Sequence, residues 1–159
     1  MIYLSLDIVI GIHARILEAE PAGIETSPGI LHAGVLESIL LRMREKVYGE
    51  DFLPDIHTKA AYLLKAINDF HPFVDGNKRT SILSTAYFLL LNGYWLEAET
   101  ENELEVTRDA AMGTLNLVEI AVWLESSSVK MRRPPIVLRG DAEAVLRDGR
   151  LEFRSFEES

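Results

Sequence analysis

The chain has 159 residues, 48% hydrophobic and 26% charged, a make-up that suits one soluble globular domain able to bury roughly two-thirds of its unfolded surface. Asp and Glu number 25 against 16 Lys and Arg, a formal charge of -9, so direct nucleic-acid binding is not expected, because it draws on clustered cations that release counterions from phosphates. The absence of cysteine removes disulfides, thiolate metal sites and cysteine nucleophiles together, and no apolar run approaches the roughly 20 residues of a membrane span. With no basic stretch ahead of the first apolar residues and Asp7 interrupting them, no signal peptide is expected either. A cytoplasmic protein without membrane contact is the expectation.

In chain order, Ser5 caps a first predicted helix whose apolar face is Ile8, Val9, Ile12, Ile16 and Leu17, ending before Pro21. His13 lies on it and reads as a packing or surface residue. Pro21-Ala22-Gly23 and Ser27-Pro28-Gly29 punctuate a loop or short hairpin carrying Ile24, Ile30, Leu31 and His32. From about Gly34 a second helix carries Val35, Leu36, Ile39, Leu40 and Met43, and Tyr48-Gly49 stops it. Asp55 is the N-cap of a third, with Ile56, Ala60, Leu63, Leu64, Ile67 and Phe70 at helical spacing, Lys59 and Lys65 on the wetter side, and His57 as a neutral surface residue.

Ile82, Leu83 and the run Ala86 to Leu91 are apolar around most of a helix, the mark of a central buried element, which Asn92-Gly93 ends. Tyr94, Trp95 and Leu96 follow as a short extended piece. Thr100 with Glu103 has capping-box spacing for a further helix through Val106, Ala110 and Ala111, broken at Gly113, and Asn116 caps the last helix, Leu117 to Leu124. After residue 130 composition changes. Met131 to Pro135 signals a linker, followed by Ile136-Val137-Leu138, a helix-like Asp141 to Leu146, a turn at Asp148-Gly149 and an extended Leu151 to Phe156. The expected organisation is a mainly α domain over 1–130, a helical bundle with a central buried helix, and a small strand-containing C-terminal extension over 131–159.

Between the third helix and the central one stands His71-Pro72-Phe73-Val74-Asp75-Gly76-Asn77-Lys78-Arg79-Thr80. A loop that passes into a helix at Gly76-Asn77 exposes unpaired backbone N–H groups and the positive end of the helix dipole, which attract anions. Glycine allows a phosphate to come close, the Asn77 amide can donate, and Lys78 and Arg79 add charge. Asp75, just before this nest, is placed to hold Mg2+ beside phosphates. His71, set by the rigid Pro72 and an anchoring Phe73, is placed to act as a general base. Taken singly, each residue is also ordinary turn and cap chemistry; the joint pattern is what points to a site.

The pattern His71, Phe73, Asp75, Gly76, Asn77, Arg79 resembles the signature of the Fic/Doc family, and Lys59 to Leu64, Thr80 to Leu96 and Asn92-Gly93-Tyr94 are similar to its death-on-curing, or Doc, branch. The resemblance spans roughly Leu4 to Val129. It implies a Fic/Doc-like helical fold that transfers a phosphate-containing group of ATP to a hydroxyl of another protein. His71 would take the acceptor proton, Asp75 would hold Mg2+, and Gly76, Asn77, Lys78 and Arg79 would hold phosphates. Members that transfer AMP usually have glycine at the place of Lys78 and a second arginine at that of Ile82, and both departures favour the Doc alternative, in which the γ-phosphoryl group moves and the target is elongation factor Tu. Pro72 and Gly76 suit AMP transfer equally, and a catalytically silent binding module on the same fold is the third reading. No inhibitory Ser/Thr-x-x-x-Glu-Gly/Asn spacing occurs, since Glu97 stands where the hydroxyl belongs ahead of Glu101-Asn102. The resemblance therefore implies restraint in trans by a Phd-like antitoxin whose tail folds on binding, with Ile136 to Leu138 and Leu151 to Phe156 as a second-ranked internal cover.

Overall fold

The computed structural model describes residues 1–20, 29–97, 100–132, 142–147 and 150–155, with side chains left aside at 100, 102–104 and in the last two stretches. Within these, six helices, α1 (Leu6–Glu18), α2 (Ala33–Arg42), α3 (Ile56–Phe70), α4 (Asn77–Leu91), α5 (Thr100–Ala111) and α6 (Leu117–Ser126), carry the fold. Short antiparallel strand pairs join them: β1 (Lys46–Val47) with β2 (Glu50–Asp51), β3 (Tyr94–Leu96) with β4 (Ser128–Lys130), and β5 (Ala142–Arg147) with β6 (Arg150–Ser155). The chain is mainly helical, as its apolar periodicity predicts.

The capping chemistry explains most helix starts. Ser5 accepts from the Ile8 N–H, Asp55 from the Thr58 N–H, and Asn116 forms a reciprocal capping box with Glu119. The Thr100–Glu103 box lies on side chains outside the described residues. Two helices dominate the interior. α3 packs against α2, α4, α5 and α6, while α4 packs against α1, α3, α5 and β3. α4 is the central helix that its composition predicts, and the face it buries against its neighbours includes Thr80, Ser81, Ser84 and Thr85 beside Phe88 and Leu89. These small side chains allow close helix approach. A hydrogen-bonded chain then fixes the pair: Asn68 of α3 donates to the Leu64 carbonyl at 2.9 Å and to Ser81 Oγ at 2.9 Å, and Ser81 donates to the Lys78 carbonyl at 2.6 Å. The helices on either side of the 71–76 loop are thereby tied together next to it.

Five expectations are corrected. The second helix does not run to Tyr48-Gly49 but ends at Arg42, and Tyr48-Gly49 instead forms the positive-φ turn between β1 and β2. Lys59 is not on a wet face but fully buried, where its ammonium donates to the Met43 carbonyl at 2.8 Å and pairs with Asp51 at 3.3 Å; a buried charge is tolerated only with such partners. Phe70, expected in the core, is 56% exposed at the C-terminal end of α3. His57 is not a plain surface residue, since its ring meets Tyr94 edge-on at 5.0 Å and its Nε2 is buried. The helix-like 141–146 segment is instead β5, paired with β6 in the register Ala144↔Phe153 and Leu146↔Leu151, because cross-strand pairing supplies backbone partners that so short a helix cannot. The segment 133–141, with the predicted linker's prolines and Ile136 to Leu138, and the loop residues 21–28 lie outside the described residues.

Candidate functional site

The site is the loop from His71 to Gly76 and the first turn of α4. α3 ends in a residue that is neither glycine nor asparagine: His71 adopts the left-handed conformation (φ 45°, ψ 62°), with its N–H on the Ile67 carbonyl at 3.1 Å. A non-glycine residue there costs on the order of 1–3 kcal/mol and persists only where surroundings impose it. The rigid Pro72 follows, and both it and Phe73 are buried. The imidazole of His71 stays exposed and makes no hydrogen bond among the described residues, so its ring nitrogens are open to a substrate proton.

Most backbone groups of the loop have a partner. The Pro72 carbonyl accepts from the N–H groups of Leu31 at 2.8 Å and His32 at 3.2 Å, and the Val74 N–H donates to the Gly29 carbonyl at 3.1 Å, so that Ile30 and Phe73 form an antiparallel bridge. The extended piece around Ile30 thus pairs with the motif loop itself. Asn77 closes the loop from inside: its Oδ1 accepts from the Phe73 N–H at 3.1 Å and its Nδ2 donates to the Phe73 carbonyl at 2.9 Å. At 8% exposure with both amide atoms engaged by Phe73, Asn77 is a clamp on the loop, and its backbone N–H belongs to the open first turn of α4. Gly76 is the N-cap of α4 in the left-handed region (φ 79°), and no side chain among the described residues caps the helix. The first-turn N–H groups are consequently left open, as an anion site requires.

The charged groups differ in availability. Asp75 is exposed; one carboxylate oxygen accepts from the Gly76 N–H at 2.8 Å and the other has no partner among the described residues. No group of three or more His, Asp or Glu side chains is arranged to hold a metal among the described residues. One open carboxylate beside an anion nest is a donor set suited to Mg2+, which takes one or two carboxylates together with phosphates and water, rather than to an all-protein cage. Lys78 is exposed and has no ion-pair partner among the described residues, whereas the Arg79 guanidinium is paired with Glu20 at the end of α1. Ile82, at the place of the second arginine, is buried.

Two residues that the sequence reading left aside touch the site. His13 of α1 is buried at 4% exposure, its ring stacked on Phe73 with centroids 3.9 Å apart, and its Nε2 is 2.7 Å from the Asp75 carbonyl. Glu20 supplies the carboxylate on Arg79. His13 and Leu17 share one face of α1 at i, i+4 spacing, with Glu20 just beyond the helix end, and a histidine in phase with Val9 and Ile16 on that apolar face is the signal that could have found the contact.

Comparison with known proteins agrees with this geometry. A family model described as Fic/DOC family matches residues 3–89, more than half of the chain. Toxin Doc of Mycolicibacterium smegmatis (strain ATCC 700084 / mc(2)155) is 41% identical over 66 residues, which cover 42% of this chain and 51% of that protein. The chain thus spans about half the length of this curated relative. The matched region includes the left-handed His71, the loop clamped by Asn77 and the uncapped start of α4, and the chain belongs to the Fic/DOC family.

Proposed function

We propose that the protein is a Doc-type toxin of a toxin–antitoxin pair and transfers the γ-phosphoryl group of ATP to a Ser or Thr hydroxyl of a target protein. The observation that carries this reading is the pairing of an exposed imidazole at His71, without a partner among the described residues, with an uncapped helix N-terminus five residues on, separated by a loop whose backbone is mostly hydrogen-bonded. ATP is the substrate, with its phosphates on the N–H groups of the first turn of α4 and on Lys78 and Arg79. Asp75 would hold Mg2+, which when bound offsets the charge of the phosphate oxygens. A ring nitrogen of His71 takes the acceptor proton, the hydroxyl oxygen forms a bond to the γ-phosphorus, the bond from that phosphorus to its bridging oxygen breaks, and ADP leaves with the electron pair.

Three features support γ-transfer and a macromolecular acceptor. Lys78 puts a bulky cation where glycine stands in AMP-transferring members, and Ile82 offers no second guanidinium, so the phosphate partners differ from those that hold a nucleotide for AMP transfer. Ile30, Leu31, Phe70 and Val74 are exposed apolar side chains on the segments that form or flank the loop, a surface suited to a protein partner. The similarity to Toxin Doc supports an antitoxin of the Phd type as the restraining partner, and elongation factor Tu is the first acceptor to examine. No helix of the described residues is long and apolar enough to cross a membrane. Mass spectrometry of host proteins after incubation with the protein and Mg-ATP tests the reading: an added phosphate on a Ser or Thr is expected, and an added AMP, or no modification, overturns it.

A further inference from the structure

We infer that His13 is a positioning residue that latches the Asp75–Gly76 peptide in the orientation the phosphate site needs. The inference rests on the proposed transfer for its functional meaning, and on geometry for its substance. A carbonyl oxygen only accepts, so the 2.7 Å contact between His13 Nε2 and the Asp75 carbonyl places a proton on Nε2. In a planar trans peptide the C=O and the following N–H point in opposite directions. Holding the Asp75 C=O against α1 therefore turns the Gly76 N–H away from α1, where it meets the Asp75 carboxylate at 2.8 Å. One bond from α1 thereby turns the Asp75 carbonyl away from the open first turn of α4 and, through the Gly76 N–H, sets the carboxylate placed to bind Mg2+.

The latch is needed because this peptide precedes a left-handed glycine. Gly76 (φ 79°) accepts either hand of backbone conformation, so nothing in its own sterics prevents the 75–76 peptide from rotating. A rotated peptide would aim a carbonyl dipole at the anion. The imidazole is itself immobilised: its ring lies within 9° of parallel to the Phe73 ring, and a Cβ placed on Gly76 would sit in contact with His13 at 3.6 Å and with Leu17 at 3.5 Å. Phe73 is in turn held on both its backbone groups by Asn77. The histidine is thus wedged between the anchor of the loop and the glycine it controls, on a helix that otherwise contributes no group to the reaction chemistry. Since Nε2–H donates in both the neutral and the charged ring, the latch needs no particular ionisation.

The test compares His13→Phe, which keeps a ring on Phe73 and removes the donor, with His13→Gln, whose amide nitrogen can reach the same carbonyl. The Gly76 amide is read by proton–nitrogen NMR and hydrogen exchange in the full chain without ligand, and transfer and its Mg2+ dependence are read separately. The expected result is that His13→Phe shifts the Gly76 resonance and speeds its exchange, with transfer down roughly 10- to 100-fold and a higher Mg2+ requirement, while His13→Gln stays near wild type on every readout. An unchanged Gly76 amide in His13→Phe overturns the inference. So does equal damage by both substitutions, which would mean that the ring merely fills space. Should His13→Phe not fold, His13→Gln decides alone, because a space-filling role predicts that it too perturbs Gly76. Loss of transfer in the wild type with the Gly76 response intact would sink the proposed reaction and leave the latch standing.

Discussion

At the residue scale, the site divides into groups that hold the loop and groups left open to react. His13, Phe73 and Asn77 are buried and committed to one another or to backbone, while His71, Asp75 and Lys78 are exposed and largely uncommitted. Substitutions should follow that division. His71→Ala is expected to lower transfer by at least ~10²-fold, the scale of a lost general base, with thermal unfolding little changed; an unimpaired rate in the variant would remove His71 from the mechanism. Arg79 is an intermediate case, because it must exchange Glu20 for a phosphate. Replacing Glu20 by Gln frees the guanidinium, and since the pair is partly exposed and screened, ATP binding is expected to tighten by no more than about 5-fold. Calorimetric titration at low and high salt checks this, and weaker binding would show that Glu20 holds Arg79 in place instead of competing for it.

At the scale of elements, the fold keeps the loop rigid by fastening the helices around it. The buried Lys59 joins α3 to the Met43 carbonyl after α2 and to Asp51 of β2. Lys59→Met retains the bulk but leaves that carbonyl unpaired, and is expected to cost about 1–3 kcal/mol in denaturant unfolding; a neutral result would mean that the apolar replacement repacks without loss. The start of α3 carries a pH signature. Burial pushes the Asp55 carboxyl up, but hydrogen bonds from the Thr58 N–H and hydroxyl and from the His57 backbone, with the His57 charge, outweigh it and hold the carboxyl below its ordinary 3.8. A depressed folded-state value stabilises above the unfolded value and is lost as pH falls through the folded one. Asp55→Ala should therefore cost about 1 kcal/mol near neutrality, the worth of an N-cap, and the gap from wild type should narrow below pH 3.8. A gap constant with pH would place the cost elsewhere.

The same elements show what could be read in advance. Ser5, Asp55 and Asn116 cap where a short polar side chain meets a helical apolar pattern, and Gly76-Asn77 opens α4, because these are local relations along the chain. Lys59 reads from its spacing as a wet-face residue and His13 as a residue without a role in the site, because their partners are 16 and 62 residues away and appear only after the helices pack. Phe70 follows the helical period yet lies beyond the reach of the core at the helix end, and β5 needed a partner strand that no helical pattern within 141–146 could reveal. In the site, the acidic, glycine and basic positions were legible from their chemistry. That Asn77 acts through its amide on the loop was not.

At the scale of the whole molecule, a formal charge of -9 opposes the approach of a nucleotide, and the cations that favour it are concentrated at Lys78 and Arg79 beside a helix terminus. Local charge and oriented N–H groups must outweigh the net field at that point. The sequence carries no Ser/Thr-x-x-x-Glu-Gly/Asn spacing, and the proposed reading places the restraint in trans. Expression without a partner is accordingly expected to arrest growth, and His71→Ala to relieve the arrest. Harmless accumulation of transfer-competent protein would contradict restraint in trans.

The central claim is tested most directly by incubating the protein with a translation extract and ATP labelled at either the α- or the γ-phosphate. The account predicts label on a protein from γ-labelled ATP alone, abolished in His71→Ala; label from α-labelled ATP would contradict it and assign the chain to AMP transfer.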